Sequence, residues 1–138
     1  MGHPMKIETT TQTASMRQIH AAIEHIERQD YECAITLAAA AEGMLPPTDN
    51  PYFHQKVKEM AKKLSEVEGA AHDPNDVITW LKHGTLNGKK INSATIEVQE
   101  AVAITWRAIS KFWAVYQDAS PQMKAFKETA IRIVHENG

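Results

Sequence analysis

Apolar residues recur at helical spacing along almost the whole chain. From about residue 13 to residue 29, one face is apolar while charged residues lie elsewhere; its apolar positions are Met16, Ile19, Ala22, Ile23 and Ile26. Asp30 is a suitable N-cap for a second helix that reaches Leu45, because Pro46-Pro47 cannot continue it. The pattern therefore predicts two consecutive amphipathic helices in the first third of the chain.

Capping residues followed by proline mark three further helix starts. Asn50-Pro51, Asp73-Pro74 and Ser120-Pro121 each place a capping side chain before a proline at the first helical position. These pairs predict a third helix that ends near Gly69, a short fourth helix that ends at Gly84, and a sixth helix near the end of the chain.

A long fifth helix is predicted from about residue 96 to residue 117. Its wide and largely apolar face consists of Val98, Val102, Thr105, Trp106, Ile109, Phe112, Trp113 and Tyr116. Residues 84–95, just before it, form the longest internal loop. The turn dipeptide Asn87-Gly88 favours a small hairpin over residues 85–91 of this loop.

Short loops between amphipathic helices predict an all-α fold, an antiparallel helical bundle of about five to six helices. Residues 1–12 are expected to be a flexible N-terminal lead-in. Residues 13–138 are expected to form a single helical-bundle domain, since no repeat or linker divides them. With 138 residues, of which 43% are hydrophobic and 23% charged, the domain can bury a core without a disulfide or a metal.

Charge and cysteine content restrict which class of binding partner and which cellular compartment we expect. The net charge of −2 argues against a general nucleic-acid coat or a membrane-surface binder, but it allows a local basic patch. No apolar run approaches the roughly twenty residues of a membrane span. The single cysteine, Cys33, cannot form an internal disulfide, so we expect a cytoplasmic protein in which Cys33 is a small packed thiol.

Motifs for common metal and nucleotide chemistry are missing from the sequence. It contains no HExxH, CxxC, GxSxG or glycine-rich phosphate loop, and none of the seven histidines follows a glutamate three residues earlier. We therefore expect no metal and no cofactor. His20 and Glu24 lie four residues apart and are expected to pair on the surface.

Glu42 is the most unusual residue of the second helix. It falls within the apolar stripe of that helix, which consists of Tyr31, Ile35, Ala38 and Leu45. A buried carboxylate is costly without a cation, and the candidate partners are Lys82, His83, Arg107 and His20. Alternatively, Glu42 lies close enough to the helix end to reach water, or it orders a neighbouring loop.

The end of the fourth helix combines aromatic and cationic residues. Trp80, Lys82 and His83 lie in its last turn, and Lys89 and Lys90 follow in the loop. The helix dipole favours the protonated form of a histidine at this position. His83 could act as a general acid or base, or could bind a phosphate together with the lysines. The alternative is a capping histidine beside a solvated loop. We expect His83 to converge with Glu42 within hydrogen-bonding distance, either in the protomer or across the two-fold axis of a dimer.

Three segments together resemble bacterial relatives of the HEPN (higher eukaryotes and prokaryotes nucleotide-binding) families. They are DYECAITLAAAAE from Asp30 to Glu42, WLKH from Trp80 to His83, and Trp106-Arg107-Ala108 in the long helix, and the resemblance extends over about residues 14–135. It implies a bundle of four or more helices, usually paired as a homodimer. Many members are metal-independent ribonucleases in which an arginine and a histidine, spaced R-x4–6-H, act on the phosphate and the ribose hydroxyl.

The chain departs from that ribonuclease motif. If His83 is the family histidine, Ile78, Val77 and Asp76 occupy the positions where the arginine belongs. No other arginine precedes a histidine by five to seven residues, which leaves Lys82 or Arg107 as substitute cations.

Three hypotheses follow. The sequence favours a HEPN-like homodimer that has lost catalysis and binds a nucleotide, RNA or protein partner through Glu42, Trp80, Lys82, Lys89, Lys90 and Arg107. The first alternative is a metal-independent ribonuclease with His83 as general acid or base, and the second is a purely structural interaction protein. We expect the homodimer because two tryptophans on one helix face are more than a small bundle hides. A monomer with a central fifth helix is the alternative.

Overall fold

The computed structural model describes residues 5–48 and 74–136, which form five α-helices and one β-hairpin. The elements are α1 (Thr11–Glu27), α2 (Tyr31–Met44), α3 (Pro74–His83), β1 (Thr85–Leu86), β2 (Lys89–Lys90), α4 (Val98–Tyr116) and α5 (Pro121–Glu136). The all-α helical bundle predicted from the periodicity is confirmed. The predicted third helix, which ends near residue 69, lies outside the described residues.

Side-chain caps determine where α1 and α5 begin. The hydroxyl of Thr10 accepts a hydrogen bond from the backbone N–H of Thr13, so α1 begins two residues before its predicted start. Ser120 Oγ accepts from the backbone N–H of Met123 at 3.2 Å, and Pro121 is the first helical residue. This start of α5 agrees with the prediction from the serine–proline pair.

The other helix ends follow local backbone chemistry. Asp30 precedes α2 as predicted, but its carboxylate lies 3.4 Å from His25 Nδ1 and makes no capping bond. Leu45 is extended because it precedes a proline, and α2 ends before it. Gly84, with φ of +67°, ends α3 in the left-handed conformation that glycine adopts without strain.

The predicted hairpin is confirmed. Thr85 pairs with Lys90 and Leu86 with Lys89 in an antiparallel ladder. Asn87 and Gly88 have φ of +53° and +78°, the positive angles that a two-residue type I′ turn requires. The turn dipeptide therefore fixes the register of this short ladder.

Alanines allow close packing of α1, α2 and α4. Six alanines in these helices are completely buried: Ala22, Ala34, Ala38, Ala41, Ala101 and Ala108. Ile19, Ile35 and Ile104 fill the space between the helix backbones. None of the described helices is both long enough and apolar enough to cross a bilayer.

Helix α4 is central to the described part of the bundle. Residues 99–105 are all buried, including the polar Gln99 and Glu100, because α1, α2, α3 and α5 all contact this helix. The sequence predicts one buried apolar face for this helix, whereas its first half is buried on several sides. Trp106 is half-buried, whereas Trp113 retains 40% of its accessible surface. The expected homodimer stays a prediction.

Cys33 is exposed in the first turn of α2, so the prediction of a packed thiol is wrong. The buried face of this helix consists of Ala34, Ile35, Ala38 and Ala41. Cys33 lies next to that face in sequence but points away from it, since successive residues are rotated around the helix axis.

Candidate functional site

Glu42 and Arg107 form an ion pair where α2, α3 and α4 meet. Arg107 Nε donates to Glu42 Oε2. The Arg107 side chain is only 15% exposed, and the Glu42 side chain 23%. Arg107 Nη2 also donates to Asn75 Oδ1 at 3.4 Å, in the first turn of α3. Lys111, one turn after Arg107, donates from Nζ to the backbone carbonyl of Glu42 at 2.9 Å. We call these four residues the junction cluster.

The junction cluster satisfies charges that the fold has partly removed from water. The sequence predicted a cationic partner for Glu42 and left four candidates; the partner is Arg107. Lys111 adds a second hydrogen bond to the Glu42 carbonyl, which also accepts from the backbone N–H of Leu45 at 3.3 Å and lies at the negative end of the helix dipole. Arg107, one of the two possible substitute cations for a ribonuclease site, is therefore engaged by a carboxylate of its own chain.

A second group of candidate residues lies where α3 meets the hairpin. Trp80 Nε1 donates to the carbonyl of Ile91 at 2.8 Å, and the Ile91 N–H donates to the carbonyl of Gly84 at 3.0 Å. Lys90 Nζ donates to the carbonyl of His83 at 3.2 Å. These bonds join the hairpin to the last turn of α3.

The side chains that project from this region are exposed, and three of the four are lysines. We call Lys82, His83, Lys89 and Lys90 the hairpin cluster; all four are exposed. Residues 77–96 contain three lysines and no carboxylate, in a chain whose net charge is −2. The exposed lysines therefore form a local basic patch of the kind that the overall charge allows, next to a pocket that Trp80 lines together with Asp76 and Glu100.

Glu42 and His83 do not converge within the protomer. Arg107, which binds Glu42, contacts Asn75 near the beginning of α3, whereas His83 is the last residue of that helix. Eight residues of helical rise separate Asn75 from His83, about 12 Å along the axis. Convergence within the protomer is therefore wrong, because the arginine that binds Glu42 reaches the start of α3 rather than its end; convergence across a two-fold axis stays a prediction.

His20 has a role that its spacing from Glu24 does not predict. Its Nε2 lies 2.7 Å from Ser120 Oγ, the hydroxyl that caps α5. Burial lowers the pKa of His20, and the nearby carboxylate of Glu24 partly offsets this effect. Since Ser120 Oγ already accepts from Met123, its proton can be donated to a neutral imidazole. The bond thus joins α1 to the first turn of α5.

No three His, Cys, Asp or Glu side chains within residues 5–48 and 74–136 are grouped so that they could hold a metal ion. No protein-family model, curated protein or solved structure matches this chain. The resemblance to the HEPN families therefore stays an expectation from the three sequence segments. The structure contains two separate charged regions. The charges of the junction cluster are paired with each other, whereas the hairpin cluster is exposed to solvent.

Proposed function

We propose that this chain is a HEPN-like helical protein that binds RNA through the hairpin cluster and does not cleave it. The observation that carries the proposal is the exposure of Lys82, His83, Lys89 and Lys90 on a helix end that is hydrogen-bonded to its hairpin. Residues 77–96 hold three lysines and no carboxylate.

Phosphate recognition is the chemistry that best suits the hairpin cluster. Lysine ammonium groups bind the nucleic-acid backbone as point charges and release counterions from it. The bonds from Trp80 to Ile91 and from Lys90 to His83 order the surface before RNA arrives, which reduces the entropic cost of binding. Contacts to phosphates position a protein without specifying bases, so we expect weak sequence preference.

Two features favour binding over cleavage. The arginine of the ribonuclease motif is replaced by Ile78, Val77 or Asp76, and the pairing of Arg107 with Glu42 keeps it from serving as a substitute. In addition, neither a carboxylate nor an arginine lies within residues 77–96 to orient His83 or to stabilise a developing phosphate charge.

The binding test is fluorescence anisotropy with a labelled single-stranded RNA at several salt concentrations. Three lysines acting on phosphates give an expected slope of log K against log salt of about −2. The double variant Lys89→Glu/Lys90→Glu should weaken binding by roughly tenfold or more at low salt. The matched control, Lys124→Glu/Lys127→Glu on α5, makes the same change in net charge elsewhere and should retain most of the affinity.

Two results would contradict the binding proposal. No binding at low salt would leave the purely structural interaction protein as the better hypothesis. Equal losses in the hairpin variant and in the control would show a response to net charge and not to this surface.

The absence of cleavage is tested separately by incubating the same RNA with the purified protein. We expect intact RNA. Cleavage that disappears on His83→Ala would instead support the metal-independent ribonuclease, whereas cleavage unaffected by that change would come from a contaminant.

A homodimer is part of the HEPN-like proposal and would present the hairpin cluster twice. A dimer in which both clusters bind one RNA should give a salt slope about twice that of a single cluster. Light scattering at micromolar concentration measures the mass directly, and a monomer mass would contradict this part of the proposal.

A further inference from the structure

A groove between α4 and α5 lies outside both charged regions. Its volume is about 300 Å³. Its lining residues are Trp106, Ile109, Ser110, Trp113, Ala119, Met123, Lys124 and Lys127. We call it the α4–α5 groove. None of the binding residues that the sequence suggested lines the groove. Half of its lining residues belong to α5 and to the turn before it, where the sequence suggested no binding residue.

The shape of the groove suits a small elongated apolar group. Trp106 and Trp113 are seven residues apart on α4, which places them about 10.5 Å apart along the helix axis. Ile109 and Met123 contribute further apolar surface from the two helices. A volume near 300 Å³ lies at the lower end of the range for small-molecule sites. Trp113 is 40% exposed, so an occupant would remove apolar surface from water.

The charge of the groove is entirely positive. Lys124 and Lys127 are three residues apart on α5 and so project from neighbouring positions of one helix face. Both are exposed, no carboxylate lines the groove, and neither ammonium group makes an ion pair within the described parts of the chain. The groove therefore combines an aromatic wall with two lysines that have no counter-ion among residues 5–48 and 74–136.

We propose that the α4–α5 groove binds a small amphipathic carboxylate. The aliphatic or aromatic body lies against Trp106 and Trp113, and the carboxylate binds Lys124 and Lys127. Charge complementarity selects this class: a neutral apolar molecule would leave the ammonium groups unused, and an apolar cation would be repelled by them. The proposal does not depend on RNA binding, because the hairpin cluster shares no residue with the groove.

The test is a titration of the full chain with decanoate, followed by calorimetry and by tryptophan fluorescence. Decanol and decylammonium have the same aliphatic body with no charge and with the opposite charge. We expect saturable binding in the order decanoate, decanol, decylammonium, with a change in fluorescence because two of the three tryptophans line the groove.

The variant Lys124→Gln/Lys127→Gln should weaken decanoate binding about tenfold and leave decanol binding unchanged. Both residues are exposed, so the fold should survive the change, and a circular dichroism spectrum checks this. The matched control Lys89→Gln/Lys90→Gln should bind decanoate like the unchanged protein. Running both variant pairs in the RNA assay as well separates a failure of this proposal from a failure of RNA binding.

Three results would overturn the proposal. One is the absence of saturable binding at millimolar decanoate, and another is decylammonium binding as tightly as decanoate. The third is a dimer by light scattering that becomes a monomer on Trp113→Ser, because a second copy of the chain would then cover the groove. An unchanged mass together with weaker decanoate binding by Trp113→Ser would support it.

Discussion

The junction cluster and the hairpin cluster use charge in opposite ways. At the junction, Glu42 and Arg107 are largely shielded from water and bind each other. At the hairpin, the lysine and histidine side chains are exposed and no carboxylate lies between residues 77 and 96. Partial burial makes an unpaired charge costly, so the pairing of the two charges at the junction stabilises the fold. Exposure removes that cost and leaves the hairpin charges available to a ligand.

The change with the largest expected effect on stability is Arg107→Met. It leaves the carboxylate of Glu42 partly buried without its cation, and it also removes the bond to Asn75. We expect the free energy of unfolding to fall by about 2 kcal/mol, less than for a fully buried pair because both side chains keep some exposure. Urea denaturation measures the change.

The double variant Glu42→Gln/Arg107→Met is its matched control, because it removes the uncompensated charge. It should recover part of the lost stability. If the double variant is no more stable than Arg107→Met, the two charges do not stabilise each other. The proposed difference between the junction cluster and the hairpin cluster would then be contradicted.

Trp80→Phe comes next in size and tests whether the hairpin is held by its bonds to α3. The substitution keeps an aromatic ring but removes the N–H that binds the Ile91 carbonyl. We expect a loss of about 1 kcal/mol, typical of one hydrogen bond. Compared with the unchanged protein, Trp80→Phe should speed up hydrogen exchange of the Ile91 amide more than that of amides in the middle of α4. Unchanged exchange at Ile91 would mean that the hairpin is ordered by other contacts.

A smaller effect is expected from the titration of His20. Burial lowers its pKa in the folded protein, while the unfolded chain keeps a value near 6.5, so the unfolded state binds more protons between these two values. The contribution of His20 to stability is therefore complete above the unfolded pKa and is lost as the pH falls toward the folded value. The amide oxygen of the Gln in His20→Gln can still accept a hydrogen bond from the Ser120 hydroxyl, but the side chain does not titrate.

The measurement is the free energy of unfolding from about pH 7.5 down to about pH 5.5 for both proteins. We expect the unchanged protein to lose more stability over this range than His20→Gln. Parallel curves would show that His20 has the same pKa in the folded and in the unfolded protein.

The smallest expected effect is that of Lys89→Gln/Lys90→Gln on stability. Both side chains are exposed, and only Lys90 donates a bond, to the carbonyl of His83. We expect a change within about 0.5 kcal/mol in urea denaturation. A loss comparable to that of Arg107→Met would show that these lysines are structural and would remove the basis for assigning them to a ligand.

Local sequence features determined the helices and the hairpin. The serine–proline pair at 120–121, the proline at 74 and the glycine at 84 act on backbone groups within a few residues, so their effects can be predicted without tertiary structure. The same holds for Asn87 and Gly88, whose positive φ angles define the turn. Helical periodicity also identified Glu42 as a carboxylate in need of a cation.

Tertiary packing alone decided which charges meet. Glu42 lies 65 residues from Arg107, and no periodicity distinguishes that arginine from the other candidate cations. The separation of Glu42 from His83, the burial of α4 on several sides and the position of Lys124 and Lys127 beside Trp113 all depend on how helices pack. A sequence pattern shows which face of a helix avoids water, but it does not show which neighbour covers that face. That choice depends on contacts between residues far apart in the chain.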